Sequence, residues 1–422
     1  MSTSPHLERS ERFPHLPRSG MQKRVFRVDT PHDVASATVV AGALPPGANV
    51  LVLCSDKSHD RSGRFASALR TMAAAYRWNA VIDISSLPMT HHWLRYDDRP
   101  SRLSRLRDTL ASLTQLRERL APAFGLLPTD PRLAMRLDDV VDELYFSVPT
   151  HSDTQALYKV LPSARKYYLP HSFASLLESE ILEYGPLLSG EAERALPPWL
   201  RLLDRTKGFV FGPDAVPVRS LTLDAVFTFN AVAPWRVETR PLGHQLHRGA
   251  MDELFASLHD AVRQYYRSLA AEAGGGAAVL LLNVADADSN YPYDAETAGY
   301  VSLARYLRQT TSAAGLLVKP HPRGTLERTQ QVVAHLEREL PDLTIIADYE
   351  HSALPAEVIL SPFSIVACAG IASSALASIR RIYGVPTYFS EELARRLYSH
   401  TTTSAENIAK WLEADRGAAT AI

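Results

Sequence analysis

The sequence predicts an α/β protein made of two Rossmann-like domains facing a central cleft. Three observations carry that expectation. Apolar runs of buried-strand length alternate with helical periodicity in the first half, the second half repeats the alternation as a clear βαβα series, and a proline-dense stretch separates them. At 422 residues the chain is longer than one typical domain. Residues 1–22 read as a mobile tail, 23–235 as the N-terminal domain and 236–422 as the C-terminal domain.

In the first half, Arg24 to Val28 is a short alternating strand, and Asp29-Thr30-Pro31 ends it with helix-starting chemistry. Asn49 to Cys54 is a continuous apolar strand. A helix is expected over Arg64 to Tyr76 and a strand over Ala80 to Ile84. Leu103, Leu106, Leu110, Leu113, Leu116 and Leu120 recur every three or four positions, which puts them on one helix face against a sheet. Leu144 to Val148 and Lys166 to Leu169 supply two further strands. Residues 185 to 245 hold seven prolines and no long periodic segment, so they read as the domain edge and the crossing.

A helix over about Met251 to Ala271 opens the second half and stops at Gly274-Gly275-Gly276. Strands are expected over Ala278 to Val284, Gly315 to Lys319, Leu343 to Ile346, Ser364 to Cys368 and Val385 to Phe389. Helices are expected over Ala295 to Arg308, Thr325 to Leu340 and Ser373 to Arg381. Ligands of such doubly wound sheets bind beyond the carboxyl ends of the strands.

Composition narrows the function. The chain is 46% hydrophobic and 22% charged, ordinary globular values. Its 45 basic and 46 acidic residues nearly cancel. That balance argues against a nucleic-acid partner held mainly by phosphate neutralisation, leaving only a local basic patch open. The two cysteines, Cys54 and Cys368, lie far apart, so neither a disulfide framework nor a cysteine zinc site is available. A reducing, cytoplasmic setting is expected. No apolar run is long enough to span a bilayer, and residues 1–21 lack the apolar core of a secretory signal. Only seven of the basic residues are lysines, which makes a lysine beside a motif informative.

One such lysine opens the most informative stretch, Lys319-Pro320-His321-Pro322-Arg323-Gly324. It follows a predicted strand. Each proline fixes its own φ and pushes the preceding residue into extended geometry, so Lys319 and His321 are both held extended. Two cations and an imidazole then stand at a strand's carboxyl end. The bland alternative is a rigid surface turn. Further on, Gly370 permits a tight turn and Ser373-Ser374 open a helix, whose unpaired amides and hydroxyls suit a phosphate. Ser373 has a second reading as a plain helix cap. Glu357, early in a short helix, either offsets the helix dipole or accepts from the two hydroxyls of a ribose.

Lys-Pro-His-Pro, then Pro-x-Glu, then Ser-Ser opening a helix resembles the bacterial α-2,8-polysialyltransferase family and its sialyltransferase relatives. The resemblance covers most of residues 275 to 395. It implies the GT-B architecture, two Rossmann-like halves across a cleft. It also implies inverting transfer of a nonulosonic acid, such as sialic acid, from a CMP-activated donor to a glycan hydroxyl, the chemistry that builds capsule or surface polysaccharide. By that resemblance His321 contacts and protonates the departing CMP phosphate, Pro322 holds the imidazole, Ser373 and Ser374 bind phosphate or donor carboxylate, and Glu357 binds the ribose. Lys319 and Arg323 are added here as electrostatic support, with solvated cations as the alternative reading. The CMP-sugar is a co-substrate, and no cofactor or metal is expected. A lipid-linked glycan acceptor implies peripheral contact with the inner face of the plasma membrane.

The acidic-acidic-Gly motif that supplies the base in the relatives is missing. In its place Lys166-Tyr167-Tyr168-Leu169-Pro170-His171-Ser172 offers His171, whose neutral ring can accept a proton. Asp29 and Thr30 stand at a strand end as acceptor contacts or as a helix cap. Asp286-Ala287-Asp288 resembles a metal motif of a different transferase fold and reads here as a polar loop. The polar cluster His91, His92, Arg95, Asp97, Asp98, Arg99 reads as solvated charge or an acceptor loop. Two rival functions stay open: a CDP-alcohol phosphotransferase of teichoic-acid type, and a non-catalytic glycan- or nucleotide-binding protein.

Overall fold

The structure is a computed structural model. It describes residues 20–54, 64–87, 102–148, 151–171, 197–198, 202, 206, 209, 222–229, 238–283, 293–322, 324–371, 373, 375–400, 412–413, 416–417 and 419–422. Two all-parallel sheets organise the chain. The first contains β1 (Gln22–Val28), β2 (Gly47–Leu53), β3 (Ala80–Asp83), β4 (Glu143–Phe146), β5 (Arg165–Tyr168), β6 (Ala225–Thr228) and β7 (Glu238–Pro241), in the order β3-β2-β1-β4-β5-β6-β7. The second contains β8 (Ala277–Leu281), β9 (Gly315–Lys319), β10 (Thr344–Ala347), β11 (Ile365–Gly370), β12 (Thr387–Phe389) and β13 (Thr420–Ala421), in the order β10-β9-β8-β11-β12-β13. In both sheets the first strand lies between the second and the fourth, so each reverses direction once. That reversal opens a crevice at β1/β4 and another at β8/β11. The two Rossmann-like sheets form the GT-B arrangement expected from the sequence.

The strands alternate as the apolar pattern requires. In the first sheet Phe26, Leu51, Tyr145, Tyr167 and Phe227 enter a core that continues into the second half. Val25, Val50, Leu144, Phe146, Tyr168 and Val226 enter a separate core on the other face. There Leu113, Leu116 and Leu120 of α3 (Arg102–Leu120) cover them, as the leucine spacing predicts. Aromatic rings step across four adjacent strands: Phe26 stacks on Tyr145 at 4.4 Å, Tyr145 on Tyr167 at 4.8 Å, and Tyr167 meets Phe227 edge-on at 5.9 Å.

Helix α1 (Pro31–Ala43) starts at a full capping box. Thr30 Oγ1 accepts from the Asp33 amide, and Asp33 Oδ2 accepts from the amides of Asp29 and Thr30. α2 (Arg64–Ala74), α4 (Leu133–Val140) and α5 (Ser152–Val160) are further helices of the first half.

Two features depart from expectation. Residues 185–245 contribute β6 and β7 to the first sheet, so the crossing follows Pro241 and not residue 235. The helix expected over Met251 to Ala271 is two helices, α6 (Arg248–Ser257) and α7 (Asp260–Glu272). Leu258 is extended, and the His259 ring accepts from the Ala261 amide to cap the second helix. The second half continues with α8 (Tyr293–Thr310), α9 (Leu326–Glu339), the short α10 (Ala356–Ile359), α11 (Ala375–Tyr383) and α12 (Glu391–His400). Among the described residues no helix is long and apolar enough to cross a membrane.

Candidate active site between the two sheets

In the second sheet Lys319 pairs with Leu281, and Leu281 pairs with Gly370. The ends of β9, β8 and β11 are therefore level. With about 4.8 Å between neighbouring strands, Lys319 and Gly370 lie roughly 10 Å apart. His321 and Ser373, two and three residues further on, leave the same sheet edge on either side of the β8/β11 crevice.

The His321 loop closes tightly, the Gly324 amide donating to the His321 carbonyl at 2.8 Å around Pro322. A cavity of about 80 Å³ lies beside His321, lined also by Asn283, Tyr293, Glu296, Thr325 and Arg328. Gly370 lies outside the positive-φ region. Its missing Cβ matters because one would stand 3.2 Å from the Leu281 Cβ and 3.3 Å from its carbonyl oxygen. Close strand packing, rather than the tight turn expected, is what demands glycine there.

Lys319 faces inward. It is 3% exposed, its ammonium stands 3.5 Å from Asp348 Oδ2, and it donates to the carbonyls of Pro320 and Ser352. All three donors of the ammonium thus have protein partners, and it clamps the 348–352 segment beneath the His321 loop. Burial lowers its pKa, with Asp348 opposing.

Glu357 is 1% exposed. Oε1 accepts from Ser378 Oγ at 2.5 Å, while Oε2 has no hydrogen-bond partner among the described residues. His32 Nε2 of the first half stands 3.7 Å from Oε2, too far for a hydrogen bond. Burial lowers the pKa of His32 against the pull of Glu357. Arg64 of α2 makes a second crossing, donating to the Gly324 carbonyl at 2.9 Å and to Ser352 Oγ at 3.4 Å. Arg381 makes a third, to the Phe229 carbonyl. The carboxyl edges of the two sheets therefore face each other.

On the facing edge, His171 Nδ1 lies 2.8 Å from Asp33 Oδ1. Asp33 is buried, and burial raises its pKa to about 6, with His171 opposing and Asp29 reinforcing the rise. Asp29 goes the other way: burial would raise it, but Arg27 together with the Asp33 and His151 contacts holds it well below the carboxylate range. Arg27 bonds Asp29 and Asp153 at 2.9 and 2.8 Å, and the His151 ring lies 2.8 Å from Asp29. Thr30 is the helix cap. Asp29, Asp33 and His171 offer ligand atoms within 4.8 Å of one another. Those carboxylates already serve backbone amides, His171 and the adjacent Arg27 guanidinium, a poor donor set for a cation, and we assign no metal.

Arg323, Ser374, Ser172, Asp286, Asp288 and the cluster from His91 to Arg99 lie outside the described residues. Asp33 is the residue that sequence reasoning missed. An aspartate in the first turn of a helix signals capping, and its partner His171 is 138 positions away.

Fold and site define a two-domain α/β protein with facing crevices, one edge carrying an imidazole and a serine and the other an aspartate–histidine pair. Residues 283–391 match the model of the alpha-2,8-polysialyltransferase (POLYST) family, a span that contains His321, Glu357 and Ser373. The match supports a sialyltransferase-like glycosyltransferase. No curated protein matches the chain in sequence. Among solved structures, the chain overlaps an alpha/beta-galactoside alpha-2,3-sialyltransferase of Photobacterium phosphoreum with 11% identity and a TM-score of 0.40, covering 95% of this chain and 99% of that one. A sialyltransferase of Photobacterium damsela gives 10%, 0.39, 95% and 81%. The N-terminal domain of Candida albicans trehalose-6-phosphate phosphatase gives 11%, 0.38, 95% and 93%. These overlaps are loose, and the fold assignment rests on the strand order itself.

Proposed function

We propose that the protein transfers a nonulosonic acid from a CMP-activated donor to a glycan hydroxyl, with inversion at the anomeric carbon. The observation that carries this reading is the level ending of β9, β8 and β11, which brings His321 and Ser373 to one crevice facing the other half. Phosphate sits over that crevice, held by Ser373, Ser374 and the start of α11. Arg323 adds a cation from the His321 loop. As the bond from the anomeric carbon to the phosphate oxygen breaks, its electron pair goes to that oxygen and His321 supplies a proton. Pro322 holds the loop that carries the ring. Glu357 Oε2, a buried acceptor, takes a ribose hydroxyl when the halves part at His32. The acceptor hydroxyl enters from the first half, loses its proton to His171 and attacks the opposite face of the anomeric carbon. Asp29 and Thr30 form the floor on that side. No metal or cofactor takes part in the scheme. A lipid-linked acceptor brings the protein to the inner membrane face as a peripheral enzyme.

The test is to supply CMP-N-acetylneuraminic acid and CDP-glycerol separately and measure donor breakdown. Release of CMP from the first alone supports the reading. Turnover of CDP-glycerol alone replaces it with phosphoryl transfer. CMP binding without turnover of either donor leaves a binding protein.

A further inference from the structure

We infer that His171 acts with Asp33 as a dyad, Asp33 being the positioning residue that fixes which ring nitrogen takes the acceptor's proton. The inference deepens the proposed transferase reading and rests on it for the identity of the reaction, though not for the state of the ring.

The argument begins with hydrogen-bond bookkeeping. Asp33 Oδ2 accepts two backbone amides, those of Asp29 and Thr30, at 3.1 Å each. Two N–H donors on one oxygen favour the ionised carboxylate. Oδ1 is left to face His171 Nδ1 at 2.8 Å. A carboxylate only accepts, so Nδ1 carries the hydrogen and Nε2 is the basic nitrogen of the neutral ring. Asp33 is 1% exposed and pinned by the capping box at the start of α1, whereas the His171 side chain is 44% exposed at the cleft. A rigid buried carboxylate thus orients a reachable imidazole. This is the logic of an aspartate–histidine pair serving a hydroxyl nucleophile.

The step balances. The acceptor O–H bond breaks, the hydroxyl oxygen forms the new bond to the anomeric carbon, and its proton goes to Nε2. The imidazolium formed keeps its Nδ1 hydrogen bond to the Asp33 carboxylate, which steadies the positive charge. Facing groups tune the pair. On the Asp33 side they are Asp29, with Arg27, His151 and Asp153 behind it. On the other side His32, 3.7 Å from Glu357, feels the charges of Glu357, His171 and Lys319. Arg27 together with the Asp33 and His151 contacts lowers Asp29 against burial, and the Asp29 charge reinforces Asp33's hold on a proton.

The test has two arms. In the first, ¹⁵N-histidine-labelled wild-type protein is examined by long-range ¹H–¹⁵N correlation, with His171 identified by its loss in His171→Gln. The Nδ1–H tautomer is expected near pH 7.5, and a dominant Nε2–H tautomer overturns the dyad whatever reaction the protein performs. In the second, CMP release from CMP-N-acetylneuraminic acid is followed against pH for wild type and Asp33→Asn. An asparagine keeps the cap acceptor but donates to Nδ1, moving the hydrogen to Nε2. A loss of 10²–10⁴-fold in kcat is expected, with KM for donor and CMP binding little changed and the acidic limb of the profile displaced. Wild-type rate and an unmoved limb in Asp33→Asn overturn the dyad while leaving the transferase reading intact. A wild type that releases no CMP overturns the transferase reading, and the tautomer then decides the dyad alone.

Discussion

Replacing Lys319 with methionine removes the ammonium and keeps most of the stem volume. Asp348 is then left fully buried without its counter-ion. At 3.5 Å and an effective dielectric of about 20, the lost attraction is roughly 5 kcal/mol. Breaking a buried pair by removing one partner costs about 3–5 kcal/mol in other proteins. The Tyr266 hydroxyl at 2.9 Å and the His351 amide at 3.0 Å still serve Asp348, which favours the low end. For a unit the size of the second half, about 2–4 °C per kcal/mol gives a fall in melting temperature of roughly 6–20 °C. Lys319→Met/Asp348→Asn, which removes the stranded charge, regains at least half of the loss. Differential scanning calorimetry reads both results. A single variant that melts within 1 °C of wild type, or a double variant no better than the single, refutes the assignment of Lys319 to a structural clamp and returns it to the ligand.

Other consequences are as direct. His321→Ala lowers the rate of CMP release by about 10²–10⁴-fold while CMP binding, read by calorimetry, survives. Thr30→Ala removes the side-chain cap of α1 and costs about 0.5–2 kcal/mol in a denaturation midpoint. Asp33 binds its proton more tightly folded than unfolded, its pKa rising from 3.8 to about 6. Its contribution to stability is therefore full below pH 4 and lost as pH rises through 6, a swing of up to about 3 kcal/mol at 1.36 kcal/mol per unit. Asp33→Asn abolishes that slope between pH 4 and 6, which pH-dependent melting tests.

The second half is legible in sequence because its signals are local. A strand, a Pro-bracketed histidine and a helix start follow one another from Leu316 to Leu326, and from Ile365 to Leu376 a strand, a glycine and a serine pair lead into a helix in the same local way. The strand β9 has the expected ends, and His321 and Ser373 reach one edge because consecutive βα units always deliver their loops there. The first half is harder for a physical reason. β6 offers only Ala225–Thr228, too short for periodicity, and β7 is the polar run Glu238–Pro241. At the sheet's edge it needs no apolar face on both sides, and its proline is tolerated. The split at Leu258 hides because apolar periodicity runs through it. What sequence cannot display is pairing across the chain: Asp33 with His171, His32 with Glu357, Arg64 with Gly324. Each joins residues from different units, and no local pattern announces it.

The ring ladder over β1, β4, β5 and β6 has a mechanical consequence. Asp29 follows Phe26 by three residues and His171 follows Tyr167 by four, so both hang from strands bolted together by stacked rings. Such a plate resists shear between its own strands, and the 2.8 Å spacing of Asp33 and His171 is set by the first sheet alone, whatever the second half does.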